Sequence, residues 1–204
     1  MLKQKLKRFK FLTLDQVHKL IEVMDSPKAI RDRAIFMIAF WRGLRASEVG
    51  LLQLEDYDPK TKQLLVRRLK GSNDTWFPIT KEEIKYLEKW IKERGNFPGP
   101  LFISKYSVGV GRSYLDDLIK EYGPKANLEK EYCHFHILKH SICTYLVDTG
   151  LDLRKIQHWV GHKSIASTQR YADVSPRAMR DITELVEKQF SKDMKEFEKG
   201  KKRA

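Results

Sequence analysis

Apolar residues recur every three or four positions along most of the chain, which is the spacing of an amphipathic helix. Two of these stretches begin with capping-box pairs, Thr13 with Gln16 and Thr80 with Glu83. Most of the chain is therefore predicted to be helical. The predicted helices cover residues 14–24, 27–41, 46–53, 81–91, 113–122, 135–149, 152–161, 164–170 and 176–198.

The apolar period changes between residues 64 and 79. Two short β-like runs, 64–69 and 75–79, flank a cluster of Gly, Ser, Asn and Asp, which is typical of a β-hairpin. We therefore expect a mainly α fold with a small antiparallel β-hairpin or sheet, an α+β class. Because no Pro/Gly/Ser-rich linker divides the chain, residues 1–204 are interpreted as one domain. A basic extension (1–12) precedes it, and a helix with a basic tail (176–204) ends it.

The chain carries a strong excess of positive charge, with 40 Lys and Arg against 27 Asp and Glu and a formal net charge of +13. Such an excess attracts a polyanion, with nucleic acid the leading partner and an anionic membrane surface the competitor. No stretch approaches the roughly 18 apolar residues of a membrane span, and the basic first residues lack the apolar segment of a signal peptide. Two cysteines, Cys133 and Cys143, are too few for a disulfide framework. We expect a cytoplasmic protein with no membrane partner.

Three basic side chains form the first candidate site. His136, Lys139 and His140 stand at positions i, i+3 and i+4, which share one face of a helix. The simplest interpretation is a basic surface patch with one buried histidine. A metal site with His162 as a third ligand is an alternative, although the glutamate of the HExxH metalloprotease pattern is absent.

A second candidate is Tyr171, which follows His162 by nine residues and lies near the end of a predicted helix. By itself it would be an ordinary packing residue. The neighbouring His162, Lys163 and Arg170 surround it with basic groups, which favours a chemical role.

Arg45 and Lys70 are weaker candidates when each is taken alone. Arg45 follows Gly43 at the start of a short predicted helix, where a guanidinium held near the core suits bidentate recognition of a phosphate. The alternative is a salt bridge with Glu48, which contributes little. Lys70 lies in the predicted hairpin turn, where lysines are usually only solvated.

Taken in order, four segments resemble the tyrosine recombinase family, also called the phage integrase family. They are an arginine box at 43–48, a hairpin lysine segment at 70–79, a His-x-x-Lys-His motif at 136–140, and Gly161-His162 followed by Tyr171. The resemblance covers about residues 14–186. It implies the catalytic-domain fold of that family.

The resemblance also implies a site-specific recombinase or integrase, which cuts and rejoins DNA through a 3′-phosphotyrosyl intermediate. In the implied site Tyr171 is the nucleophile, Lys70 is the general acid and His136 is a proton acceptor. The cations that stabilise the transition state are Arg45, Lys139 and His162. Glu48 and His140 are supporting residues. Neighbouring cations are expected to make the phenol easier to deprotonate. Because this cluster substitutes for metal ions, no metal or cofactor is expected.

The sequence departs from the family pattern in two ways. Lys139 replaces the second family arginine, which keeps the charge but loses the planar fork. The N-terminal core-binding domain, which clamps DNA in family members, is expected to be absent. The implied partners are double-stranded DNA and further copies of the chain, as a tetramer on DNA and a monomer or dimer when free. Two alternatives remain: a type IB topoisomerase-like nicking-closing enzyme and a catalytically weakened DNA-binding relative.

Overall fold

The computed structural model describes residues 10–69, 74–173, 180 and 183–192. Within them, short antiparallel strands accompany a larger set of helices, which confirms the predicted class. The helices are α1 (Leu14–Glu22), α2 (Ala29–Trp41), α3 (Ala46–Val49), α4 (Lys81–Arg94), α5 (Arg112–Lys125), α6 (Ile137–Asp148), α7 (Leu153–Val160) and α8 (Ala166–Ala172). The strands are β1 (Tyr57–Asp58), β2 (Gln63–Val66) and β3 (Thr75–Pro78).

Helix α2 lies at the centre of the fold, because all of its residues from Ala34 to Trp41 are apolar. Its Ile35, Phe36 and Ile38 are completely buried. The helix packs against α4 on one side and α6 on another. It ends at Trp41, and Gly43 then reverses the chain with a positive φ of 55°. This turn brings the arginine box directly beside the core.

The predicted hairpin is present as part of a three-stranded antiparallel sheet in the order β1-β2-β3. Leu64 pairs with Phe77 and Leu65 with Trp76. Leu64 and Phe77 are buried, as the period of two requires. Strand β1 was not predicted, because two residues are too few to show a period.

Several predicted boundaries were wrong. Helix α2 begins at Ala29 rather than Pro27, since Ser26 closes a turn by accepting a hydrogen bond from the Lys28 amide. Helix α3 ends at Val49 rather than at residue 53, and 3₁₀ turns at Leu54–Asp56 and Lys130–Tyr132 were missed. Leu12, assigned to the N-terminal extension, is buried, and its amide donates to Ser141 Oγ.

The predicted C-terminal helix lies partly outside the described residues. Residues 183–192 are helical, and their apolar side chains Leu185, Val186 and Phe190 are each more than 60% exposed. This stretch of the helix therefore does not pack on the core of the chain. None of the described helices is long and apolar enough to cross a membrane.

Candidate active site

Glu48 is the buried anchor of the arginine box. Its carboxylate accepts a 2.8 Å hydrogen bond from the Arg45 amide and a 2.7 Å hydrogen bond from the Arg45 guanidinium. Burial would raise the pKa of Glu48, but the Arg45 amide and the charges of Arg68 and Lys139 outweigh it and lower the pKa. The salt bridge that was considered as the alternative for Arg45 therefore forms, and it holds a guanidinium whose side chain is still 36% exposed. The Arg45 guanidinium is thus held in place by Glu48 and is still accessible from solvent.

Lys139 does not lie on the same open face as the two histidines of its motif. Lys139 is 1% exposed, whereas His136 is exposed and His140 half-buried. Its Nζ donates to the carbonyl oxygens of Gly43, at 2.6 Å, and Val160, at 2.5 Å. Burial, with the charges of Arg68 and Arg45, lowers the pKa of Lys139 to about 7. The shared face predicted for all three side chains is wrong for Lys139, because its longer chain turns into the core.

Tyr171 lies against His140. Its hydroxyl is 2.7 Å from His140 Nδ1, and the tyrosine is only 2% exposed. Burial raises the pKa of Tyr171 well above its ordinary value, and the Cys143 thiol, which interacts with the Tyr171 hydroxyl, raises it further. The expected lowering by neighbouring cations is therefore wrong for the DNA-free protein, because loss of hydration outweighs the charges of Arg170 and Arg45.

His162 covers the other side of the same phenol. Its ring stacks on Tyr171 with ring centroids 6.0 Å apart, and its Nδ1 is 3.0 Å from Thr168 Oγ1. Burial, together with the charges of Lys139 and Arg45, lowers the pKa of His162 to about 3. The imidazole is therefore neutral at pH 7, with one nitrogen engaged by a buried hydroxyl.

His136 completes the ring cluster. Its ring meets His140 edge-on, with centroids 4.6 Å apart. Desolvation by the surrounding groups first, and neighbouring charges second, lower the pKa of His136 and of His140 to about 4. Across the described residues, no three His, Cys, Asp or Glu side chains are grouped so that they could hold a metal ion. His136, His140 and His162 therefore do not form the metal site considered from the sequence.

Two clefts open on either side of the end of β2. One, of about 540 Å³, is lined by Asp74, His162 and Lys163 among others. The other, of about 260 Å³, is lined by Arg45, Leu69, Arg112 and His136. Lys70 itself lies outside the described residues, so its predicted position is not tested.

Sequence reasoning missed Arg68, whose side chain is only 2% exposed and lies at the wall of the larger cleft. A signal was available: Leu64, Val66 and Arg68 alternate on the buried face of one extended segment. The contacts of Cys143 and Thr168 with the site could not be found in the same way, because no sequence pattern distinguishes either residue from its neighbours.

The folded chain has the architecture of a tyrosine recombinase catalytic domain, in which His140 and His162 contact Tyr171 and the charge of Arg45 acts on the same phenol. The sequence model of the phage integrase family matches residues 10–177, and the chain belongs to that family. It is 33% identical over 178 residues to tyrosine recombinase XerA of Pyrococcus horikoshii, covering 86% of this chain and 60% of that relative. It is 31% identical over 170 residues to the type 1 fimbriae regulatory protein FimB of Escherichia coli K12, covering 81% and 84% of the two chains.

Solved structures agree with the sequence relatives. The crystal structure of XerA recombinase superposes with a TM-score of 0.74 at 28% identity, covering 88% of this chain and 64% of that one. XerH site-specific recombinase, solved with its palindromic difH substrate, has the same fold at 22% identity and a TM-score of 0.75, covering 89% and 54%. The chain thus spans about three fifths of XerA and most of FimB.

Proposed function

We propose that this chain is a site-specific DNA recombinase that cleaves and rejoins strands through a 3′-phosphotyrosyl link to Tyr171. The observation that carries the proposal is the convergence on one phenol. The Tyr171 hydroxyl is 2.7 Å from His140, its ring stacks on His162, and the Arg45 charge acts on the same group. Side chains from three distant segments are needed to build this arrangement.

The nucleophile requires a proton acceptor, and His140 has the geometry for it. Its Nδ1 lies within hydrogen-bond distance of the phenol, and its pKa of about 4 leaves the ring neutral at pH 7. The resemblance assigned this role to His136, whose ring contacts His140 instead. We assign His140 as the group that accepts the phenol proton of Tyr171. The His136 ring supports the His140 ring by meeting it edge-on.

In the first step the Tyr171 oxygen bonds to phosphorus, and the bond from phosphorus to the 5′-oxygen breaks. Lys70 is assigned to protonate the leaving 5′-oxygen. In the second step the oxygen of an incoming 5′-hydroxyl bonds to phosphorus, and the bond from phosphorus to the Tyr171 oxygen breaks. The hydroxyl proton returns to Lys70, and Tyr171 regains its own proton from His140. Both steps exchange one phosphodiester for another, so no external energy source is required.

Arg45 and His162 are assigned to the charge that develops on the non-bridging oxygens. Arg45 presents a guanidinium fixed by Glu48, and such preorganised donors stabilise a transition state most effectively. If the Thr168 hydroxyl donates to Nδ1 of His162, the ring carries its hydrogen on Nε2 and donates it outward. Because Tyr171 is only 2% exposed, its side chain must move outward to meet the phosphate.

Double-stranded DNA is the proposed partner. The net charge of +13 supplies the phosphate attraction, and basic residues line both clefts, among them Arg45, Arg112 and Lys163. Self-association on DNA, as a tetramer, is proposed from the exposed apolar stripe at 183–192. Replacing Leu185 and Phe190 with Glu should weaken assembly on DNA in sedimentation without lowering the unfolding temperature. Lys188→Glu on the same helix is the control.

The test of the function is a covalent trap on nicked suicide duplexes that carry candidate sites. The parent chain should yield a DNA adduct stable to denaturing electrophoresis, and Tyr171→Phe should yield none. Tyr106→Phe, at a tyrosine that is 73% exposed, is the matched control and should react like the parent. Binding without any adduct would instead support the weakened DNA-binding relative. Relaxation of supercoiled DNA without partner exchange would support the topoisomerase-like alternative.

A further inference from the structure

Two buried basic side chains, Arg68 and Lys139, meet beneath the proposed site. Both donate to the same acceptor, the carbonyl oxygen of Gly43. Neither side chain is more than about 2% exposed. Because burying a basic group is costly unless its donors are paired, each of these interactions needs a structural reason.

Lys139 links two chain segments that carry the chemistry. Its Nζ donates to Gly43 O, two residues before Arg45, and to Val160 O, two residues before His162. An uncharged lysine amine has two N–H groups and the ammonium has three, so this pair of carbonyls suits either form. Gly43 and Val160 also approach closely, since a Cβ on Gly43 would lie 3.1 Å from Val160 Cβ.

Arg68 joins the same two segments from the side of the sheet. Its Nη2 donates to Arg42 O at 2.8 Å and to Trp159 O at 2.9 Å. Its Nη1 faces Glu48 at 3.3 Å. Its side chain fits against Gly161, where an added Cβ would lie 2.5 Å from Arg68 Nε. Arg68 also stands two positions before Lys70 in the sequence. Its guanidinium therefore contacts the Arg45 and His162 segments, and its backbone leads into the hairpin segment.

We propose that Arg68 and Lys139 are positioning residues, a buried clasp that fixes the Arg45 segment against the His162 segment. The role of Lys139 is then to hold backbone carbonyls and not to bind phosphate, although Lys139 occupies the place of a family arginine. The inference rests on the proposed function.

The clasp also explains why a lysine occupies position 139. The fork of Arg68 already takes the carbonyls of Arg42 and Trp159 and approaches the Glu48 carboxylate. Arginine has five N–H donors in a rigid plane, against the two or three of lysine. A second guanidinium in this space would compete with Arg68 for the same acceptors. A single amine fits between the Gly43 carbonyl, which it shares with Arg68, and the Val160 carbonyl.

The test is a double-mutant cycle in the full chain with Lys139→Arg, Arg68→Lys and the two combined. Three quantities are measured: the single-turnover rate of adduct formation at saturating nicked duplex, the Kd for that duplex in a Tyr171→Phe background, and the free energy of unfolding. Lys89→Arg, at an exposed site on α4, controls for the first substitution. Arg94→Lys controls for the second, because Arg94 also binds backbone carbonyls but in the loop after α4.

Each single substitution should lower the adduct rate about tenfold or more, since small displacements of reacting groups are costly, while Kd stays within about twofold. The combined variant returns one amine and one guanidinium to the junction, so its loss should be clearly smaller than the product of the two single losses. If Lys139→Arg does not fold, Lys139→Met replaces it and should show a similarly slow rate. Its loss should not multiply with the loss of Arg68→Lys, because either substitution alone already releases the junction.

A Lys139→Arg chain that reacts as fast as the parent or faster would overturn the clasp and would favour a phosphate-binding role at position 139. Losses that simply multiply would also overturn it. These results leave the proposed function intact, because the parent still forms its adduct. Failure of the parent to form any adduct would remove the proposed function and the catalytic part of the clasp together. Non-additive effects of the Arg68 and Lys139 substitutions on the free energy of unfolding would then show only that the two residues are coupled in the fold.

Discussion

The site has an inner and an outer layer that differ in charge and in constraint. The inner layer, Glu48, Arg68 and Lys139, is ionisable and buried, and its polar atoms bind backbone groups or one another. The outer layer, formed by the three histidines and Tyr171, has low histidine pKa values and contacts made mostly between ring faces and edges.

This difference separates positioning from chemistry. Backbone-anchored charges are hard to move, because any displacement leaves a buried donor or acceptor unpaired. Ring contacts are weaker and less directional, so the outer layer can rearrange when a phosphate enters. The His-x-x-Lys-His motif contributes to both layers, with Lys139 in the inner layer and His136 and His140 in the outer layer. Membership of a motif therefore does not decide which layer a residue joins.

The largest expected effect is loss of the shared inner carboxylate. Glu48→Gln should lower the free energy of unfolding by about 3 kcal/mol, because Arg45, Arg68 and Lys139 lose the anion beside them. Glu55→Gln, at a side chain that is 81% exposed, should change it by less than about 0.5 kcal/mol. Chemical denaturation measures both. Equal losses would show that the inner layer is not a special environment.

Arg45 belongs to both layers, since it binds Glu48 and faces a cleft. Arg45→Lys should slow single-turnover adduct formation about 100-fold, because an ammonium keeps the charge but lacks the fork. DNA affinity should change little. Arg112→Lys, at an 80% exposed side chain on the same cleft, is the control and should have a small effect on rate. Similar losses in both variants would reduce Arg45 to a general source of charge.

Predictability from sequence follows the same division. The capping pairs at Thr13 and Thr80 and the apolar helix α2 were found because local spacing determines them. The convergence of Arg45, His140, His162 and Tyr171 was expected only through a resemblance to a family, since spacing along the chain says nothing about distances across it. The inward turn of Lys139 was missed, because its acceptors are backbone carbonyls that every residue possesses.

The free energy of unfolding should depend on pH between about pH 7 and pH 10 because of Lys139 in the inner layer. The pKa of Lys139 is lowered by burial and by Arg68 and Arg45, against opposing effects of Cys143 and Glu48, to about 7. The unfolded chain therefore binds more protons in this window, and the free energy of unfolding should rise with pH because of this group. Lys139→Met should flatten that rise, and Lys89→Met should not. An unchanged slope in Lys139→Met would place the titration elsewhere.

The outer layer should change the free energy of unfolding at lower pH, and by a smaller amount. Burial, and His136 next, lower the pKa of His140 from 6.5 to about 4. Its contribution to stability is complete above about pH 6.5 and is lost as pH falls toward 4, because the unfolded state takes up the proton first. Between pH 7 and pH 5, His140→Gln should remove about 1 kcal/mol of the pH dependence measured by denaturation. His18→Gln, at a half-exposed histidine, is the control. A steeper fall in His140→Gln would mean that His140 is charged in the folded protein.

The central claim is that one phenol among the eight tyrosines of the chain becomes bonded to DNA. Proteolysis of the trapped adduct, followed by mass spectrometry of the nucleotide-bearing peptide, tests it directly. The account expects the nucleotide mass on Tyr171 alone. A nucleotide on any other residue would contradict it.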